Sequence, residues 1–337
     1  MNLMTNASLK PYNTFGINVH AAFFTPITNP EEITEIFHSE TTAQQNKLVL
    51  GGGSNVLFTK DVDGIVLKID IKGISIVKED KDHVWVKAGA GEKWHDLVMW
   101  SIDNDLAGIE NLSLIPGNTG AAPMQNIGAY GVELKNTFFE LEAFDVVELK
   151  TTFFTNADCN FGYRDSYFKK NKGRFIITSI TLKLNKKPVF NISYGAIEQE
   201  LNRMGVQQLS IKEISQAVMN IRRSKLPDPN VLGNAGSFFK NPEIPAHQFE
   251  ELKRQNPAMV GYPAGLGNMK VAAGWMIEQC GWKGKRVGNT GAHKDQALVL
   301  VNYGNATGKE IYDLALEIKQ SVLEKFNLTI EPEVNVI

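Results

Sequence analysis

A chain of 337 residues, 43% hydrophobic and 21% charged, can bury a sizeable core and is long enough for two or three domains. Its formal net charge of -2 leaves no broad basic surface for nucleic acid or an anionic membrane, so neither is expected as a partner. Two distant cysteines, Cys159 and Cys280, and six scattered histidines lack metal-ligand spacing, so no metal is expected; without a leader-like or bilayer-length apolar run, the expected location is cytoplasmic.

In chain order, Asn29-Pro30 reads as a cap and first-turn proline opening a helix over 31–38. Residues 47–50 read as a buried strand entering Gly51-Gly52-Gly53-Ser54-Asn55. Residues 65–69 and 83–88 read as strands and 93–104 as a helix. Residues 138–147 and 175–184 are β-rich. Ser210-x-x-Glu213 has the form of a capping box opening a helix through Arg223, which the prolines of 226–230 end. Helices follow at 246–254 and 271–280, a strand at 297–301, a helix capped by Thr307-x-x-Glu310, and a terminal strand over 328–337. Strands and helices mix without a βαβ rhythm, which favours an α+β fold.

Several segments carry chemistry. In Gly51 to Asn55 the missing Cβ atoms allow backbone amides to approach a diphosphate, although a plain tight turn has the same composition. It is neither a phosphate loop ending in Lys-Ser or Lys-Thr nor a Gly-x-Gly-x-x-Gly fingerprint. A second small-residue stretch, from Ile115-Pro116-Gly117-Asn118-Thr119 to Gly128-Ala129-Tyr130-Gly131, is a long surface loop or the other half of a ligand clasp. Gly162-Tyr163-Arg164-Asp165-Ser166 offers a fixed cation for a carboxylate or enolate, or a surface ion pair. Phe153-Phe154 and Phe238-Phe239 read as core, and His293 as a structural histidine. Gly233 to Pro242 holds one serine, Ser237, with no base beside it in sequence. A hydrolytic serine needs a base, whereas one that only donates a proton needs a reactive acceptor.

Together, residues 51–58, 115–133, 162–166, 225–229, 233–242 and 331–334 resemble the UDP-N-acetylenolpyruvoylglucosamine reductases, motif by motif and in order over nearly the whole chain. The resemblance implies a FAD-binding part of the vanillyl-alcohol-oxidase type, made of two α+β subdomains, followed by a separate α+β substrate domain. The matching limits here are residues 1–70, with the strand 328–337 returning to the site, then 71–224, then 225–327. It implies that NADPH reduces noncovalent FAD. Hydride then passes from flavin N5 to C3 of UDP-N-acetylglucosamine enolpyruvate, giving UDP-N-acetylmuramate for peptidoglycan. The same resemblance makes Ser237 the proton donor to C2, with Arg164 and Glu333 stabilising the enolic intermediate. It assigns Gly51, Gly52, Gly53, Ser54, Asn55, Ile115, Gly117, Thr119, Ala121, Gly128 and Arg222 to the cofactor. Tyr163, Tyr194, Lys225, Asn241 and Gln296 fall to substrate or nicotinamide nucleotide, in a chain acting as a monomer. The rival readings are another FAD-linked oxidoreductase of the same broad fold and a noncatalytic flavin- or nucleotide-binding protein.

Overall fold

The computed structural model describes residues 2–337. The chain separates into two compact units. The first contains the chain up to Ala7, Ala21–Gly52 and Val62–Ser224; the second contains Ser8–His20, Gly53–Asp61 and Lys225–Ile337. Both mix helix and sheet, so the α+β class expected from the sequence is the class of the chain.

In the first unit, Val62–Ile69 lies between His20–Ile27 and Lys47–Leu50, parallel to both. Ile65, Val66 and Leu67 are fully buried in succession, as in a parallel strand covered on both faces. The connecting helix, Glu31–His38, begins where Asn29 Oδ1 accepts the Glu32 N–H at 3.1 Å. A second, antiparallel sheet has the order Lys150–Thr155, Phe138–Asp145, Phe175–Asn185, His83–Gly89, Ile74–Glu79. One continuous apolar core joins both sheets to the helix Trp94–Asp103. A satellite core packs Gly195–Arg203 against Ile211–Lys225 through Ile197, Leu201, Val218 and Ile221, with Tyr130 and Ile192 against it. At the start of Ile211–Lys225 the Glu213 N–H donates to Ser210 Oγ at 3.4 Å and the Ser210 hydroxyl pairs with the Glu213 carboxylate, which supplies the serine half of the capping pattern.

In the second unit, Gly233–Ser237, Val299–Asn302, Thr290–Ala292 and Arg286–Val287 form an antiparallel sheet in that order. The helix Gly308–Phe326 packs on it and opens with a complete capping box between Thr307 and Glu310. A smaller sheet joins Glu243–Pro245, Asn268–Val271 and Gly261–Pro263.

Four local expectations need correction, the first being that Lys47–Leu50, expected as a buried strand, buries only Leu50 and leaves Val49 exposed at the edge of its sheet. The strand foreseen over 328–337 shrinks to Asn335–Val336, parallel to Val56–Leu57. Its first half makes only an isolated bridge, Pro332 to Phe239, because proline has no N–H to extend a ladder. The helix foreseen over 271–280 is Ala273–Gln279, and Val271 ends a strand. Finally, Phe154 is core but Phe153 points to solvent, since alternate strand residues face opposite sides.

Candidate active site

The two glycine-rich stretches touch. A Cβ on Gly52 would lie 2.8 Å from Asn118 Oδ1 and 2.9 Å from the Gly117 Cα, and one on Gly51 would lie 3.7 Å from the Ala121 Cβ. Only glycine allows this approach. Gly53 has φ +63°, and a Cβ there would lie 1.9 Å from the Tyr12 carbonyl oxygen. Ser54 and Asn55 follow as half-buried turn residues. Thr119 is fully buried and its hydroxyl donates to the Gly89 carbonyl at 2.5 Å, which fixes the loop on the antiparallel sheet. Ile115 and Gly117 are half-buried beside it.

The first unit also gathers a cluster of cations and phenols. Arg164, at φ +51°, donates from Nη2 to the Gly128 carbonyl at 2.7 Å and lies 5.7 Å from the Tyr163 ring centroid. Arg222 lies beside the Tyr130 hydroxyl, and its Nε is buried without a hydrogen-bond partner. Burial holds the Arg222 guanidinium below its ordinary pKa; Tyr130 opposes this and the nearby charge of Arg164 reinforces it. The Tyr194 ring stands edge-on to Tyr130 at 5.5 Å. Two like charges within interaction range and an unpartnered buried donor fit an anionic ligand. A diphosphate-bearing flavin suits the glycine cradle and these cations.

Ser237 and Glu333 come together through main chain in the second unit. Glu333 N–H donates to the Phe238 carbonyl at 2.7 Å, and Lys240 N–H donates to the Glu331 carbonyl at 2.9 Å. On the other side of the tail, Asn55 Nδ2 donates to the Glu333 carbonyl at 3.3 Å. The Asn335 amide and side chain both donate to the Asn55 carbonyl, at 3.1 and 3.0 Å. A register shift between Asn234 and Ser237 bulges the serine strand. Buried Asn234 shapes it by accepting the Gly236 N–H at 2.9 Å and donating to the Pro227 and Leu232 carbonyls. Phe238 and Phe239, each 1% exposed, pack edge-to-face beneath.

Asn241 and Gln296 converge elsewhere, on the first turn of Ala273–Gln279. Asn241 Oδ1 accepts the Ala273 N–H at 3.0 Å, and Gln296 Oε1 lies 3.2 Å from where a Cβ on Gly274 would sit. Lys225 ends the helix Ile211–Lys225 as an exposed residue. His293 is buried, and its Nδ1 accepts the Asp295 N–H at 3.3 Å. Among the described residues, no group of His, Cys, Asp and Glu could hold a metal and no helix is long and apolar enough to cross a membrane.

Asn126 and Tyr130 fall inside the small-residue stretch 115–131, but the sequence gives neither of them, nor His95, an individual role. Buried Asn126 donates to Glu133 Oε2 and the Gly162 carbonyl and accepts the Lys135 N–H, stapling the Gly128 turn to the segment that carries Arg164. His95 Nδ1 accepts the Leu114 N–H at 3.1 Å, at the entrance to the Ile115 loop. Tyr130 lies between Gly128 and Gly131, a setting that signals a tight backbone turn.

Residues 21–151 match the FAD binding domain family, which makes the chain an FAD-binding protein. Residues 228–337 match the C-terminal domain of UDP-N-acetylenolpyruvoylglucosamine reductase. A UDP-N-acetylenolpyruvoylglucosamine reductase of Flavobacterium johnsoniae is 52% identical over 100% of both chains. Those of Amoebophilus asiaticus and Pseudomonas fluorescens strain Pf-5 are 48% and 45% identical over at least 99% of each chain. The crystal structure of UDP-N-acetylenolpyruvylglucosamine reductase from Thermus caldophilus shares the fold, with a TM-score of 0.67 at 23% identity over 99% of this chain and 98% of that one. The chain belongs to the UDP-N-acetylenolpyruvoylglucosamine reductase family and is an FAD-binding oxidoreductase. A FAD-binding part of the vanillyl-alcohol-oxidase type with a separate α+β domain describes its fold.

Proposed function

We propose that the chain catalyses NADPH-dependent reduction of UDP-N-acetylglucosamine enolpyruvate to UDP-N-acetylmuramate, as a cytoplasmic monomer. The loops 51–55 and 115–128 with Arg222 would hold FAD noncovalently, and when bound it would supply the hydride that adds to C3 of the enolpyruvyl group. The remaining work is charge and proton management by the chain's own residues. Addition at C3 leaves carbanionic density at C2, delocalised into the adjacent carboxylate. Arg164, already fixed by its bond to the Gly128 carbonyl, stabilises that density as a preset cation. Ser237 gives its hydroxyl proton to C2 and completes the reduction. Glu333 assists in protonated form, since an ionised carboxylate would oppose the developing negative charge. Tyr163, Tyr194, Lys225, Asn241 and Gln296 contact the two nucleotide ligands in turn.

The reading is carried above all by the 2.7 Å bond from the Glu333 amide to the carbonyl of Phe238, the residue after Ser237. It makes the serine and the acid neighbours through main chain alone. Anaerobic rapid mixing tests the proposal. NADPH is expected to bleach the flavin and the enolpyruvyl sugar nucleotide to restore it stoichiometrically. In Ser237→Ala, bleaching proceeds while reoxidation slows by about 10²- to 10⁴-fold, the usual worth of a positioned acid. Reoxidation at the parent rate in that variant would remove the serine from the mechanism. Failure of the parent enzyme to bleach with NADPH would overturn the reductase reading itself.

A further inference from the structure

Tyr194 is 47% exposed and opens the helix Gly195–Arg203, so nothing in its own burial fixes where its ring points. Two asparagines nearby do. Asn111, 1% exposed in the short turn Glu110–Leu112, uses its Nδ2 on two separate segments. It donates to the Tyr130 carbonyl at 3.0 Å and to the Asn191 carbonyl at 2.8 Å. Asn191 answers by donating from its own Nδ2 to the Gly131 carbonyl at 3.1 Å and accepting the Ser193 hydroxyl at 2.9 Å. Gly131 is at φ +80°, and a Cβ there would lie 3.1 Å from Asn191 Nδ2, so the turn and the asparagine are fitted to each other. Ile192, the next residue, packs with Tyr130 on the satellite core, and two residues later the Tyr194 ring meets Tyr130.

From this we infer that Asn111 and Asn191 are positioning residues: they latch the Tyr194 segment onto the Tyr130 turn and set how readily Tyr194 covers the enolpyruvyl substrate. The inference rests on the reading of Tyr194 as a substrate contact. The latch ties the stem of the segment at 191 while leaving the ring at 194 exposed. A substrate that engages the ring therefore meets a pre-aimed side chain and does not have to order the whole segment on binding. The three Asn191 contacts are each of the size that shifts such an equilibrium severalfold.

The experiment uses the FAD-loaded enzyme in anaerobic stopped flow, with Asn191→Ala, Tyr194→Ala and the double variant. Asn191 is half-buried, so its truncation leaves the core intact. The flavin absorption spectrum and the urea midpoint of each variant report that it is folded and loaded. Asn191→Ala loses its side-chain bonds to Gly131 and Ser193 but keeps the carbonyl bond from Asn111, and is expected to raise the half-saturating concentration of UDP-N-acetylglucosamine enolpyruvate in flavin reoxidation by about three- to tenfold, the range of losing the one bond that crosses to the Tyr130 turn. In the Tyr194→Ala background the same substitution adds less than about twofold, because coupled residues are non-additive. If Tyr194→Ala alone leaves half-saturation unchanged, the reading of Tyr194 fails and the latch with it. If Tyr194→Ala raises half-saturation but Asn191→Ala does not, or if the two effects multiply, the latch is overturned while Tyr194 stands.

Discussion

The Arg164 region and the Ser237 region hold their candidate residues in opposite ways. Around Arg164 the backbone is bent into conformations that side chains rarely adopt: Asn126, Tyr130 and Arg164 stand at φ +43°, +50° and +51°. Each such non-glycine residue costs about 1 kcal/mol or more, and surrounding contacts must hold it in place. Those contacts are side chain to main chain, from Asn126, Asn111 and Arg164 itself. Around Ser237 the reverse holds. The tail 331–337 is attached by amide-to-carbonyl bonds to Lys240, Phe238, Asn55 and Leu57, which survive a change of side chain. The first region is therefore sensitive to substitution at residues with no chemical role, whereas in the second the tail tolerates substitution away from the reacting side chains and the side-chain dependence is confined to the serine strand, which Asn234 shapes.

Asn126 is where this contrast breaks with the largest effect. Asn126→Ala removes three side-chain hydrogen bonds that hold a left-handed residue in place, a loss of about 3 kcal/mol. Urea unfolding measures it directly. Asn126→Gly loses the same bonds without the conformational penalty, so it is expected to unfold about 1 kcal/mol later than the alanine variant. Equal midpoints for parent and Asn126→Ala would show that side chains do not hold the region. In the second region, Asn335→Ala deletes the Nδ2 bond to the Asn55 carbonyl but keeps the amide bond to the same oxygen. The expected loss is about 0.5 kcal/mol, with turnover within about twofold of the parent. If Asn335→Ala slows flavin reoxidation as much as Ser237→Ala does, main chain alone does not hold Glu333.

The contrast also explains what could be read from the chain unaided. Residues 31–38 and 47–50 were foreseen to the residue, because caps, apolar runs and glycine punctuation are local signals. The Thr307–Glu310 box was legible for the same reason. The closeness of the glycine stretches at 51–53 and 117–121 was suggested by composition, but the atoms that demand glycine, Tyr12 O and Asn118 Oδ1, lie far away in sequence. The terminal strand falls short of 328–337 because local composition carries no information about Pro332 meeting a single partner. Asn126, Asn111 and Asn191 were illegible, since a buried asparagine linking loops has no periodicity and differs in no local way from a turn asparagine.

The smallest expected effect is one of pH, and it belongs to the side-chain-held region. His95 accepts the Leu114 N–H through Nδ1, which requires that nitrogen to be unprotonated. Burial holds its pKa below the ordinary histidine value; Asp96 opposes this, and Arg223 and Arg222 add to it. Between the depressed folded value and the unfolded value of about 6.5, the unfolded chain binds a proton that the native chain does not. Stability from this group is thus full above pH of about 6.5 and is lost as pH falls through that window toward the folded pKa. Urea midpoints are expected to drop modestly from pH 7 to 5.5. His95→Asn, which offers an acceptor oxygen without a titrating group in this range, is expected to flatten that slope. His293 is also held low by burial, and its Nδ1 likewise accepts an amide, from Asp295. A slope unchanged in His95→Asn but abolished in His293→Asn would therefore assign the dependence to the second unit and remove His95 as the acid-sensitive support of the Ile115 loop.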